Sequence, residues 1–185
     1  EVYYFGGIIN PQQADYYLDN LLNTVNWKHD EVVVYGKHII TQRKVAWYGD
    51  GNYDYSYSNT SRKALNWVPE LLQLKAIVET QTQAKFNSCL LNLYHSGVEG
   101  MSWHSDDEKE LGENTTIASL SLGAERKFSF KHEETRETVS ITLQNGSLLL
   151  MAGSTQSNWL HSLPKTTKVD EPRVNLTFRT FLENS

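Results

Sequence analysis

Apolar and polar residues change their spacing several times along this chain, and each spacing predicts an element. From Asn10 to Val25 the apolar positions Leu18, Leu21, Leu22 and Val25 recur at helical intervals. Asn10 suits the cap of such a helix and Pro11 its first turn, where no amide hydrogen is needed. A second helix is predicted from Pro69 through Leu71, Leu72, Lys75, Ile77 and Val78. Nearly everything else alternates with a period of two or forms a short apolar run, and so reads as strand. VVVYGKHIIT (32–41) reads as a hairpin turning at Tyr35-Gly36-Lys37. FNSCLLNLY (86–94), TTIASLSLG (115–123), RKFSFKH (126–132), TVSITLQ (138–144), SLLLMAG (147–153) and RVNLTFR (173–179) follow at short spacing. Gln144-Asn145-Gly146, between two apolar strands, predicts a two-residue β-hairpin. Two helices and then many short strands, without βαβα alternation, predict a mostly β sandwich or jelly roll with flanking helices.

Composition narrows this picture. A chain of 185 residues is long enough for one domain with a real core, and 39% hydrophobic with 21% charged residues suits a globular protein. No apolar run approaches the roughly 18 residues of a membrane span. The opening EVYYFGGIIN has neither a basic start nor a long apolar stretch, so it does not read as a signal peptide. The lone Cys89 excludes an internal disulfide and fits a reducing compartment, cytoplasm or nucleus. It lies in an apolar run and reads as a small buried hydrophobe. Net charge −5 argues against wholesale polyanion binding. The charge is uneven, however: residues 32–49 carry Lys37, Arg43 and Lys44 and no acid, whereas 99–113 carry six acids against Lys109.

Candidate chemistry begins with His-x-acid triplets. Six histidines among 22 acids should give roughly 0.7 by chance, and the chain has three, at His29, His104 and His132. His104 and Asp106 project to one side of an extended segment, and His161 downstream can complete a two-histidine, one-carboxylate set. That set leaves positions open for a co-substrate and O2 on non-haem Fe(II), and zinc tolerates the same ligands. His29, His38, His95 and His132 read as surface residues. In RVNLTFR one face is Val, Leu and Phe, suited to a core, and the other is Arg173, Asn175, Thr177 and Arg179. If the polar face turns inward, its arginines need anionic partners, and a short dicarboxylate spanning them fits. Asn92 and Tyr94 share one face of a further strand. Tyr55 and Tyr57 share another face, in an aromatic cluster with Trp47, Tyr48 and Tyr53, and such a pair suits stacking on an extruded base. Trp103 reads as a packing residue.

NLYHSG, WHSDDE, IASLSLGA, GSLLLM, the His161 segment and RVNLTFR, in this order and spacing, resemble the AlkB family of Fe(II)/2-oxoglutarate dioxygenases over roughly residues 32–181. The resemblance implies a double-stranded β-helix (jelly-roll) core at about 86–182. It also implies an N-terminal nucleotide-recognition lid within about 1–85, the whole forming one domain over 1–185. His104, Asp106 and His161 would hold Fe(II), with O2 as oxidant. Asn92, Tyr94, Arg173, Asn175, Thr177 and Arg179 would hold 2-oxoglutarate. Tyr55 and Tyr57 match the lid of the DNA-repair branch, and Asp107 and Glu108 match acids that approach the damaged base. Tyr35, Gly36 and Lys37 resemble a duplex-probing finger, with Tyr35 where a duplex-repairing member has Phe, while WHSDDE and AWYG are closer to a member preferring single strands. Lys37, Arg43 and Lys44 would contact phosphates. The implied activity is oxidative demethylation of N-alkylated bases (1-methyladenine or 3-methylcytosine type) in single- or double-stranded DNA by a monomer, releasing formaldehyde, succinate and CO2. The same chemistry on RNA or protein, a zinc hydrolase and a non-catalytic cupin-like metal module are the alternatives.

Overall fold

Alternation in Arg173–Arg179 sets the architecture, because both faces of that strand are covered. A computed structural model describes residues 1–51, 54–57 and 60–182. In it Val174, Leu176 and Phe178 are fully buried on one side, and Arg173, Thr177 and Arg179 are buried on the other. A strand with two covered faces belongs in the middle of a layered fold.

The chain runs β1 (Val2–Gly7), α1 (Pro11–Thr24), β2 (Lys28–Val34), β3 (Lys37–Gly49), β4 (Asp54–Tyr57), β5 (Thr60–Lys63), α2 (Pro69–Thr82) and β6 (Ser88–Tyr94). It continues with β7 (Met101–His104), a 3-10 turn at Lys109–Leu111, β8 (Ile117–Gly123), β9 (Arg126–His132) and β10 (Thr138–Leu143). The last elements are β11 (Ser147–Met151), α3 (Thr155–Asn158), β12 (Trp159–Leu163) and β13 (Arg173–Arg179). A seven-stranded sheet has the order β1-β11-β8-β13-β6-β3-β2, and a four-stranded sheet the order β10-β9-β12-β7. All the strand pairs in both are antiparallel. This is the double-stranded β-helix with flanking helices. β4 and β5 form a separate two-stranded ribbon.

The helices cover the outer face of the large sheet. Asn10 Oδ1 accepts from Gln13 N at 2.9 Å and Pro11 opens α1, as its sequence predicts. Ala14, Tyr17 and Leu21 of α1 and Leu71, Leu74 and Val78 of α2 join Leu91, Leu93, Leu120, Leu122, Leu148, Leu150, Leu176 and Phe178 in one core. The face of α2 differs from its prediction: Leu74 is buried, and Leu72 is 47% exposed. A second, smaller core lies between the sheets and includes Trp47, Ile117, Phe130, Leu149 and Met151. Leu148 and Leu150 therefore pack outward while Leu149 and Met151 pack inward, which explains why SLLLM is apolar without alternation.

Asn145-Gly146 does not close a hairpin. β10 pairs with β9 in the small sheet, whereas β11 pairs with β1 and β8 in the large one. The segment carries the chain from one sheet to the other. The glycine is required all the same: φ is +73° and an added Cβ would meet Ile9 O at 2.6 Å. Asn145 holds the crossing, accepting from Gly123 N at 2.8 Å and donating to Asp15 Oδ1 at 3.1 Å.

Candidate active site

The two sheets enclose a partly open cavity of about 670 Å³. Its floor comes from inward-facing polar positions of the large sheet: Asn92 and Tyr94 on β6, Arg173, Asn175, Thr177 and Arg179 on β13, and Ser119 on β8. Its opposite wall carries His104, His161 and Phe128, and the β2–β3 hairpin adds Val32, Val33, Val34 and Ile39.

Pairing in the small sheet builds the metal candidate. His104 ends β7 directly across from His161 on β12, so both rings point the same way, with centroids 4.2 Å apart. Asp106 follows in a loop fixed by its own amide, which donates to Gln156 Oε1 at 2.8 Å. One ligand atom from each of the three residues lies within 4.8 Å of the others. Among the described residues no other group of three such side chains is gathered this way.

The surroundings prepare these groups as ligands. His104 Nδ1 lies 2.7 Å from Ser102 O, to which a ring N–H donates, leaving Nε2 with its lone pair. Burial pushes the pKa of His161 down to about 4, only partly countered by Asp106, so the ring is neutral at physiological pH. Its Nδ1 is buried without a hydrogen-bond partner, while Nε2 is 3.7 Å from Asp106 Oδ2. The Nε2 side of this neutral ring, beside a carboxylate and a second imidazole, fits a metal ion. Burial would raise the pKa of Asp106, but the Arg179 guanidinium outweighs it and holds the carboxyl ionised. Arg179 Nη2 donates to Asp106 Oδ1 at 2.7 Å and so orients the carboxylate. Phe128 stacks on His161 at 5.5 Å.

Beneath the metal candidate lies a polar network. Arg173 is buried and donates to Ser121 Oγ at 3.0 Å and Asn175 Oδ1 at 3.1 Å, while its Nε has no partner. Burial lowers its pKa to about 10, so it remains a cation at neutral pH. Asn175 acts as a bracket, also accepting from Ser119 Oγ and donating to Thr177 Oγ1. Two guanidinium groups lie over the Tyr94 ring, Arg173 at 5.6 Å and Arg126 at 5.8 Å from its centroid. Arg126 is almost fully buried and donates to the carbonyls of Ser96, Gly97, Glu99 and Pro164, fixing the loop beside the cavity.

Sequence reasoning identified the histidines, Asp106 and the polar face of β13, and these converge on one cavity. It missed Arg126, Gln156, Ser119 and Ser121. The last two carry a legible signal, since serine alternates with leucine in SLSL. Other expectations need correction. Arg43 does not reach outward to phosphate: it is buried, with Nη2 2.8 Å from Asp30 Oδ2 and Nη1 donating to Asn92 Oδ1. Trp103 is not a packing residue: it is 39% exposed, with Lys131 Nζ 4.4 Å from its ring. Glu108 lines the cavity, near Arg179 at 3.9 Å, whereas Asp107 is exposed and not among the lining residues. His132 is half-buried, edge-on to Trp159. Exposed His38 and His95 pair with Glu31 and Glu99, each at 2.9 Å, and exposed His29 lies 2.9 Å from Thr41 O. Tyr35 and Gly36 have positive φ at the tip of the β2–β3 hairpin, and the side chains of Tyr35 and Lys37 are exposed. Lys44 is half-buried. Tyr53 and the side chains of Tyr55 and Tyr57 lie outside the described residues. No helix among the described residues is long and apolar enough to cross a membrane.

Comparison with known proteins agrees with this geometry. Residues 1–179 match the model of the 2OG-Fe(II) oxygenase superfamily. The chain is 40% identical over 185 residues to alpha-ketoglutarate-dependent dioxygenase alkB homolog 3 of Homo sapiens, covering 95% of this chain and 64% of that protein. It is 41% identical over 160 residues to DNA oxidative demethylase ALKBH2 of Mus musculus, covering 82% of this chain and 67% of that protein. The chain thus spans about two thirds of the length of such relatives. The solved structure of OsALKBH1 superposes with a TM-score of 0.70 over 97% of both chains at 15% identity, a likeness of fold. With a His-Asp-His cluster over a buried arginine floor inside a double-stranded β-helix, the chain belongs to the 2OG-Fe(II) oxygenase superfamily, in its AlkB branch.

Proposed function

We propose that this protein demethylates N-alkylated bases in DNA by Fe(II)- and 2-oxoglutarate-dependent oxidation. The observation that carries this reading is one cavity joining three metal-suited side chains to a buried arginine floor. The chemistry supplied there, with Fe(II) and 2-oxoglutarate bound, is hydroxylation of an N-methyl carbon by O2, coupled to decarboxylation of the co-substrate to succinate. The hydroxymethyl product then releases formaldehyde and the unmodified base.

The protein's own residues bind, orient and exclude water. His104, Asp106 and His161 hold the metal, with Arg179 orienting Asp106. Arg173 offers its unpartnered Nε and its charge to a carboxylate of 2-oxoglutarate, with Asn92, Tyr94 and Thr177 beside it. Asn175 serves by positioning Arg173 and Thr177, since its own polar atoms are engaged. Phe128, Met151 and Leu163 line the cavity with apolar surface and limit water. Glu108, at the cavity wall, suits the amino edge or positive charge of an alkylated base, and exposed Asp107 adds negative charge beside it. Tyr55 and Tyr57, on the β4–β5 ribbon, supply the lid of a nucleotide-recognition region within about 1–85, ahead of a catalytic core at about 86–182 in one domain. The exposed tip Tyr35-Gly36-Lys37 meets the nucleic acid. A relative named as a DNA oxidative demethylase supports the DNA substrate. The protein works as a monomer in the nucleus or cytoplasm, in keeping with the free, buried Cys89.

Incubation with Fe(II), 2-oxoglutarate and N-methylated oligonucleotides, followed by mass spectrometry, tests the reading. Methylated DNA should lose the mass of one methylene per lesion. Turnover confined to methylated RNA or peptides, or no succinate with any of them, would reject it.

A further inference from the structure

The β2–β3 hairpin reaches the cavity through a device at its base. The pairing register shifts between His29 and Glu31, so Thr41, Gln42 and Arg43 on β3 stand against Asp30 alone. Thr41 Oγ1 donates to Arg43 O at 2.8 Å and holds the bulge. Arg43 is thereby turned inward, where Asp30 Oδ2 receives one of its nitrogens at 2.8 Å and Asn92 Oδ1 receives another. All three residues are buried and line the cavity.

A guanidinium can only donate, so the atom of Asn92 that faces Arg43 must be its carbonyl oxygen. The amide NH2 group is left on the other side, and Asn92 Nδ2 makes no hydrogen bond among the described residues. Across the sheet Asn92 is register partner to Asn175, the bracket of Arg173. We infer that Asp30 and Arg43 are positioning residues: they fix the Asn92 amide as a donor toward the co-substrate and couple the β2–β3 hairpin to occupation of that pocket. The inference rests on the reading that the cavity takes 2-oxoglutarate. Without Arg43 the amide is free to turn its oxygen toward the carboxylate. Without Asp30 the guanidinium loses the partner that aims it.

The test uses Mn(II)-loaded protein and calorimetric titration with 2-oxoglutarate. Arg43→Lys and the double variant Asp30→Asn/Arg43→Met should bind Mn(II) as the wild type does, yet bind 2-oxoglutarate about tenfold more weakly. The double variant removes both charges of the Asp30–Arg43 pair together, so neither is left buried opposite a missing partner. In the wild type, 2-oxoglutarate should slow hydrogen exchange at the hairpin base, residues 29–44, and this protection should vanish in the double variant. Variants that bind 2-oxoglutarate within about twofold of wild type overturn the relay. A wild-type hairpin whose exchange ignores 2-oxoglutarate overturns the coupling, whatever the variants do. Failure of the wild type to bind 2-oxoglutarate at all refutes the co-substrate reading and the inference with it.

Discussion

Single residues here act through what their neighbours leave free. Ser102 engages one nitrogen of His104, Arg179 engages one oxygen of Asp106, and burial keeps His161 neutral, so each is presented as a metal ligand. Replacing either end of that set should be decisive: His104→Ala or Asp106→Ala should abolish succinate formation, measured with saturating Fe(II) and 2-oxoglutarate. Full turnover by either variant would remove these residues from the metal site. Cys89 makes the opposite kind of statement. Burial raises its thiol pKa well above the ordinary value despite Arg179 nearby, and the side chain is inaccessible. Ellman's reagent at mildly alkaline pH should therefore leave the native protein unlabelled and titrate one thiol after unfolding. Rapid labelling of the native state would contradict the burial.

At the scale of elements, legibility followed the range of the interaction. The helix at Pro11–Thr24 was readable because its cap and its apolar face are both local. The polar face of β13 was readable because strand alternation is local too, but that it faced inward depended on the second sheet. His161 could be matched to His104 only as a candidate, since their meeting depends on the β7–β12 register. Arg43 was misread because its partner Asp30 stands across a bulge that no spacing rule signals. Gln144-Asn145-Gly146 was misread for a different reason. The positive φ is real, but a local turn signal does not say whether the flanking strands stay together. Gly146→Ala should then destabilise the fold by about 1–3 kcal/mol through backbone strain, and further through the contact with Ile9 O. Denaturant unfolding measures this, and an unchanged midpoint would contradict the strained crossing. The β2–β3 hairpin has its own test. Tyr35 is fully exposed at the tip, flanked by Val33, Val34 and Ile39, which are also exposed. Tyr35→Ala should lower activity on methylated duplex more than on methylated single strands, because only a duplex must be parted to reach a base. Equal losses on the two substrates would remove the finger role.

For the whole molecule, the metal candidate joins segments that are distant in sequence. His104 ends the edge strand β7 and Asp106 follows it, His161 sits on β12, and Arg179, which orients Asp106, ends the central strand β13 of the other sheet. An ion bound by such a set exists only in the folded state, so its binding free energy adds to stability. At a free concentration about a hundredfold above Kd the gain is about 2.7 kcal/mol. A chain of this size gains roughly 2–4 °C in Tm per kcal/mol, so saturating Mn(II) should raise the melting temperature by roughly 5–10 °C. A chelator should reverse the shift. Asp106→Ala should melt at one temperature with and without Mn(II), whereas Gly146→Ala, at a position that does not line the cavity, should melt lower but keep the full metal-induced rise. Wild type whose melting ignores saturating Mn(II) would mean that these three side chains do not form one metal site. A variant lacking Asp106 that still responds would mean that the ion binds elsewhere.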